Sequence, residues 1–309
     1  MGDSGDHVVE RQTVVDAPPQ ALVDLLDDVP AWPRFDPEGV HAHRLTDGGG
    51  GRYRYWTLAG DTAVRVWRLG CRTDRADGRI TFEAVPEDGG PPVSGHWWLR
   101  ERGAGTLVRL RLTSAGGTDV ATLDRAAGAQ LDTLRRAYRH RTEATPTVVT
   151  TDDSVLVAGS PHRAYDYLYD VRSWPHRLPH VSRLTLTEQP RNVQFFEMDA
   201  VLPDGTRHTT RSVRLCFPTR LIVYKQLTPA ALMEGQLGRW RCEPTPEGTR
   251  LTAQHTLILK PGSLATLGIA PGAPDARQRL RDLFSTNSRT SLRLAKSWVE
   301  QPTDAARPG

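Results

Sequence analysis

From Leu107 to Leu112 the chain alternates without a break, with Val108, Leu110 and Leu112 to one side and Arg109 and Arg111 to the other. Successive strand side chains point to opposite faces, so this pattern predicts a half-buried antiparallel strand over Thr106–Thr113. Runs rich in Val, Thr, Trp and Tyr, parted by Gly, Asp and Pro turns, predict further strands at Arg52–Leu58, Thr62–Arg72, Arg79–Val85 and His96–Arg100. A strand over His7–Val15 precedes them, followed by a proline-marked start at Ala17-Pro18-Pro19 and a short helix over Ala21–Leu26. From Asp119 to Arg141 the period changes: Leu123, Ala127, Leu131, Leu134 and Tyr138 recur at steps of three or four, one face of a long helix.

The series then repeats. A strand over Asp153–Val157 leads to Ser160-Pro161, a short helix over Ala164–Tyr169, and finally a helical pattern over Asp275–Glu300. The pattern D-V-x-x-W-P occurs at Asp28–Pro33 and Asp170–Pro175, 142 positions apart. The same offset pairs Val15 with Val157, Pro19 with Pro161, Pro37 with Pro179, Arg72 with Arg214, and Ile80–Phe82 with Ile222–Tyr224. At an offset of 143, Trp97 pairs with Trp240 and Gly105-Thr106 with Gly248-Thr249. Such collinear self-similarity predicts a tandem repeat. We expect a first domain over 1–143, a linker over 144–152, a second domain over 153–301 and a tail over 302–309.

The fold class expected is α+β: two tandem helix-grip domains, each a curved antiparallel sheet wrapped around a long C-terminal helix. One helix cannot fill a strongly bent sheet, so each domain should enclose a cavity for an apolar or amphipathic small molecule.

Composition narrows the field. The 40 basic and 36 acidic residues are interspersed, which argues against nucleic acid as a partner. One cluster, Arg135, Arg136, Arg139 and Arg141, is either a solvated helix end or a docking patch for an acidic partner. Three cysteines without C-x-x-C spacing fit buried thiols in a reducing cytoplasm. No apolar run approaches the roughly 18 residues of a membrane span, and Met1–Glu10 lacks the apolar stretch of a signal peptide, so a cytoplasmic protein without membrane contact is expected. His41-x-His43 has no third ligand nearby, so no metal site is expected.

The twin D-V-x-x-W-P marks, Trp67 with Arg72 and Ile80, Pro91-Pro92-Val93 ahead of His96-Trp97, and a tryptophan nine positions before a threonine in both copies carry a resemblance. Over nearly its whole length the chain resembles the di-domain aromatase/cyclases of bacterial type II polyketide synthases. The resemblance implies aldol closure of a first ring between the seventh and twelfth carbons of a poly-β-ketone held on an acyl carrier protein, then dehydration to an aromatic ring. The partners it implies are that carrier and other synthase subunits, and it implies no metal or organic cofactor. It makes Arg72 and Arg214 pocket arginines and Trp32, Trp97, Trp174 and Trp240 pocket walls. Single-domain relatives carry a tyrosine seven positions after the first tryptophan, where this chain has Gly39 and Val181, so any phenol must come from elsewhere.

The strands themselves leave alternatives open. His208, Thr210, Ser212 and Arg214 share a face that is either solvated or lines a polar cavity. Alternation sets Arg72 opposite Trp67, so both face one pocket only if a bulge intervenes. His255, matching Leu112 and sharing a face with Leu251, Ala253 and Leu257, is either a hydrogen-bonded core residue or an acid/base. The expected catalytic residues are therefore Arg72, Arg214 and His255. The expected substrate-binding residues are Trp32, Trp67, Trp97, Trp174, His208, Thr210, Ser212 and Trp240. A non-catalytic carrier of hydrophobic ligands, or a chaperone-like START-type protein, is the alternative class.

Overall fold

The computed structural model describes residues 6–45, 51–116, 118–143, 147–179, 181–201, 207–270 and 272–302. The chain divides into two compact units, Met1–Glu143 and Ala144–Gly309.

In the first unit, β1 (Asp6–Val15) leads to α1 (Pro19–Asp27) and a 3-10 turn (Val29–Arg34). There follow β2 (Gly39–Arg44), β3 (Gly51–Leu58), β4 (Val64–Asp74), β5 (Arg79–Pro86), β6 (Val93–Arg102), β7 (Gly105–Ala115) and α2 (Val120–Thr142). The seven strands form one antiparallel sheet in the order β1-β7-β6-β5-β4-β3-β2. Alternation in β7 is realised: Val108, Leu110 and Leu112 are buried, while Arg109 and Arg111 meet Glu10 on the solvent side at 3.3 and 3.2 Å. Helix α2 starts where the Asp119 side chain accepts from the Thr122 amide at 2.9 Å, and it buries Leu123, Ala127, Leu131 and Leu134.

The second unit repeats this order: β8 (Val148–Val157), α3 (Pro161–Tyr169), a 3-10 turn (Val171–Ser173), α4 (Trp174–Arg177), β9 (Val181–Glu188), β10 (Val193–Val201), β11 (Arg207–Phe217), β12 (Leu221–Thr228), β13 (Met233–Thr245), β14 (Gly248–Leu259), α5 (Ser263–Thr266) and α6 (Ala276–Glu300). Its sheet runs β8-β14-β13-β12-β11-β10-β9. Asp153 on β8 accepts from Ser288 and Arg289 of α6 at 2.9 and 2.8 Å, tying helix to sheet.

The repeated Gly-Thr pair has a mechanical reason. A Cβ at Gly105 would lie 2.6 Å from the Val15 carbonyl oxygen, and one at Gly248 2.2 Å from that of Val157. Glycine lets β7 and β14 pass close to the ends of β1 and β8. The next residue then fastens the crossing: Thr106 donates to the Ala17 carbonyl and Thr249 to that of Gly159, each at 2.6 Å.

Two expectations change. The linker expected over 144–152 is largely strand, because β8 already pairs with β14 from Val148 onward and its Val and Thr residues suit a ladder. The edge strands β2 and β9 were not anticipated. Of the two readings left open for the arginine cluster, the solvated helix end fits: Arg135, Arg139 and Arg141 are exposed toward the end of α2, Arg135 reaches Asp132 at 3.0 Å, Arg141 lies 3.9 Å from Asp24, and Arg136 donates to the Phe35 carbonyl. Among the described residues no helix is long and apolar enough to cross a membrane.

Candidate active site

Each unit encloses a cavity, and the two differ in size and chemistry. The first holds about 590 Å³ between the inner face of its sheet, the end of α1 and α2. Trp32, Trp67 and Trp97 all line it, with the rings of Trp32 and Trp97 6.4 Å apart. Trp67 donates its ring N–H to Thr57 Oγ1 at 2.9 Å. Leu69, Cys71, Phe82 and Leu112 make most of the remaining wall apolar. Burial pushes the Cys71 thiol up to about 12, so it is an inert wall group.

Polar groups gather at one end of this cavity, where Tyr55 donates to Asp36 Oδ2 at 2.8 Å. Burial holds the Tyr55 phenol well above its ordinary range, and burial followed by the Asp36 charge raises the Glu38 carboxyl. A Cβ at Gly39 would stand 2.3 Å from Tyr55 Oη. The space left by glycine at position 39 is thus filled by a phenol from the neighbouring strand.

Arg72 is absent from this cavity and exposed. Strand β4 pairs with β3 and β5 in unbroken register, so no bulge brings Arg72 to the side of Trp67, Leu69 and Cys71. The expected catalytic role of Arg72 is therefore corrected.

The second cavity is smaller, about 170 Å³, and carries an arginine, a tyrosine and a histidine in its wall. Trp174, Ser212, Arg214, Trp240 and His255 come together around it. Arg214 is only 2 % exposed; its Nη2 donates to the Leu168 carbonyl at 2.7 Å, and its guanidinium lies 5.3 Å above the Trp174 ring. Nη1 is buried and lacks a hydrogen-bond partner. A buried, unpaired N–H of a cation is costly in an empty site and becomes a strong donor to an oxyanion placed there. Burial lowers the arginine's pKa.

Beside it, Tyr224 Oη lies 2.6 Å from His255 Nδ1 and receives the Gln236 amide at 3.3 Å. The Trp240 ring meets the imidazole edge to face at 5.5 Å. Burial moves the phenol up to about 12 and the imidazole down to about 4, so both are neutral at pH 7. A neutral phenol and imidazole sharing a hydrogen bond can exchange protons with a bound molecule.

His208 and Thr210 do not join this wall. Strand β11 pairs with β12 only from Arg211 onward, with a register shift at Arg211/Ser212, so His208 and Thr210 lie on an overhang bonded to β10 alone. Both leave a buried polar atom without a partner, but outside the cavity. Their expected substrate-binding role is corrected.

The sheet registers equate the two cavities position by position. Trp97 opposite Ile80 answers to Trp240 opposite Ile222, Gly95 between Phe82 and Leu112 to Gly238 between Tyr224 and His255, and Cys71 opposite Phe82 to Arg214 opposite Tyr224. The apolar trio Cys71, Phe82 and Leu112 is thus replaced by Arg214, Tyr224 and His255. Arginine for cysteine alone explains part of the lost volume. The turn between β4 and β5 spans Arg75–Gly78, one residue longer than Pro218–Arg220 between β11 and β12, which is why Arg214 answers to Cys71 and not to Arg72. Tyr224 and Tyr55 escaped the sequence reading; Tyr224 lay inside a repeat match and on the face of Ile222, a signal that was available.

Two family models described as polyketide cyclase / dehydrase and lipid transport match the chain, over residues 6–139 and 157–281. The actinorhodin polyketide synthase bifunctional cyclase/dehydratase of Streptomyces coelicolor is 34% identical, the match covering 96% of this chain and 98% of that protein. The granaticin polyketide synthase bifunctional cyclase/dehydratase of Streptomyces violaceoruber is 31% identical over 94% and 93% of the two chains. The crystal structure of the di-domain ARO/CYC StfQ from the steffimycin biosynthetic pathway is 38% identical, with a TM-score of 0.83 over 94% of this chain and 98% of that one. That of the di-domain ARO/CYC BexL from the BE-7585A biosynthetic pathway is 31% identical, with a TM-score of 0.81 over 96% and 100%.

Proposed function

The chain belongs to the polyketide cyclase/dehydrase family, and from this we propose that it is an aromatase/cyclase closing the first ring of a poly-β-ketone by an intramolecular aldol and then removing water. The ring joins the seventh and twelfth carbons of a chain carried by an acyl carrier protein, in the cytoplasm and alongside the other subunits of a type II polyketide synthase.

The larger cavity supplies what such a chain lacks. Methylenes between two carbonyls are acidic already, so the difficulty is folding the chain into one reactive conformation. Confinement between Trp32, Trp67 and Trp97 favours that conformation and can lower the barrier by several kcal/mol, on the order of the gain from well-oriented intramolecular reactions. The observation that carries a catalytic reading over a carrier reading is Arg214 Nη1, buried beside Tyr224 and His255 without a partner. A carrier of apolar ligands has no use for an unpaired guanidinium in its wall. An enolate or alkoxide oxygen would supply the missing acceptor.

The test is a minimal synthase producing a reactive poly-β-ketone, with and without the protein, scored by the ring positions of its products. An enriched single first-ring pattern in the presence of the protein is expected. An unchanged product distribution would overturn the reading.

A further inference from the structure

The geometry points to Tyr224 and His255 as a proton relay that expels water from an already closed ring, so that the substrate of the second cavity is a cyclic β-hydroxy ketone and not the open chain. This rests on the aromatase/cyclase reading and adds to it a substrate class, a catalytic tyrosine and a division of work.

Size is the first argument. Ligand sites for drug-sized molecules usually span about 300–1,000 Å³, whereas an apolar cavity of about 150 Å³ accepts a single benzene ring. The first cavity, about 590 Å³, falls in the former range, and the second, about 170 Å³, matches one ring.

Position is the second argument. The phenol crosses Gly238 to reach the imidazole on the next strand but one, and any Cβ at Gly238 would lie 2.7 Å from the Tyr224 ring and 2.9 Å from His255 Nδ1. In the first unit Phe82 crosses Gly95 toward Leu112 in the same way, with nothing to carry a proton. The relay is confined to the unit that also holds the buried arginine.

The proton balance closes within the pair. With the imidazole proton on Nδ1 and donated to Tyr224 Oη, Nε2 is free to take the proton from the carbon between ketone and alcohol. The electrons of that C–H bond form the enolate, whose oxygen accepts from Arg214 Nη1. They then form the C=C bond as the C–O bond to the hydroxyl breaks. Tyr224 gives its proton to the departing hydroxyl, which leaves as water, and Nδ1 returns a proton to Tyr224. The imidazole ends as the other tautomer and resets by exchange with water; no oxidant or reductant is needed.

Tyr224→Phe and His255→Leu install the residues the first unit carries at these positions, so their packing has a precedent within the chain. The probe is a synthetic 3-hydroxycyclohexanone bearing an acyl side chain, followed by ultraviolet absorption of the enone. Both single variants should lose water from it at least tenfold more slowly, and the double variant no more slowly than the worse single, as expected of two groups acting as one. Wild-type rates in a folded Tyr224→Phe protein would overturn the relay, and so would multiplying effects in the double variant. Should His255→Leu fail to fold, Tyr224→Phe decides alone. The ring-position assay on wild-type protein tests the underlying reading separately, since it can fail while water loss from the closed ring persists.

Discussion

Arg214 stands directly across the β11–β12 ladder from Tyr224. The contact is electrostatic as well as steric. Burial raises the phenol's pKa, while the Gln236 hydrogen bond and the guanidinium charge pull it back, so the phenol is a better acid than burial alone would leave it. Lodged beside Trp174 and without a salt bridge among the described residues, with the Glu188 charge acting on it only as the least of its influences, the same guanidinium is held at a cost to stability.

Arg214 and Arg72 should therefore behave in opposite ways. Arg214→Met is expected to slow formation of the aromatic product about 10²-fold, the usual effect of losing one oxyanion donor, without lowering the melting temperature. Arg72→Ala should leave both unchanged. Product rates and thermal melts of the two variants decide it; a matching loss of activity in Arg72→Ala would return that residue to the site.

Ala126 on α2 faces the larger cavity and is only half-buried. Ala126→Phe should place a ring in the space meant for the ketide chain while the helix keeps its buried face of Leu123, Ala127 and Leu131. Binding of an unreactive ketide analogue, read by tryptophan fluorescence, is expected to weaken at least tenfold with little change in melting. Undiminished binding would mean that the chain is held elsewhere.

Gly238→Ala and Gly70→Ala form a matched pair. The first brings a methyl group within 2.4 Å of the Gln254 carbonyl oxygen, whereas nothing lies within 4 Å of a Cβ at Gly70. Denaturant unfolding should show Gly238→Ala destabilised by about 1–3 kcal/mol, the range for overpacking, and Gly70→Ala neutral or slightly stabilised. Equal stabilities would refute the close crossing of Tyr224 over β13.

His255 should also leave a mark on the pH dependence of folding. Its folded pKa, about 4, lies below the ordinary value of 6.5, so between these limits the unfolded chain binds a proton that the folded one refuses. Stability then falls as pH drops through this window, by up to about 3 kcal/mol for a shift of this size. His255→Leu should flatten that slope in urea unfolding from pH 7 to 4. A slope that survives would place its origin in another group.

Much of the fold was legible because its signals are local. Strict alternation in β7, the three-and-four spacing of α2 and the paired tryptophan-proline marks each depend on a few neighbouring residues. The tryptophans lining the cavities were legible for a related reason, since large amphipathic rings at matched positions of a repeat face the same way in both copies. Strands β2 and β9 were not, because β2 buries Gly39, Val40 and Ala42 without strict alternation and β9 buries only Val181. His208 and Thr210 follow the alternation of Arg214, and only the length of the adjoining strand, a non-local property, removes them from the cavity. The pairing of Tyr224 with His255 lay equally out of reach, since it joins side chains 31 positions apart across a glycine on an intervening strand.

The unequal turns Arg75–Gly78 and Pro218–Arg220 carry a consequence for how such proteins diversify. A strand has a two-residue period, so a one-residue slip of pairing at an exposed turn exchanges the inner and outer faces of the strand that slips. An arginine that decorates the surface in one copy becomes the buried charge of a pocket in the other. Arg72 and Ile80 stand as far apart as Arg214 and Ile222, so after duplication a lipophilic chamber can acquire ionic chemistry by a one-residue slip of pairing, with no change in chain length at that step. Variant libraries for these proteins would then do well to sample the turn residues that set the register of the central strands as well as the side chains around the cavity.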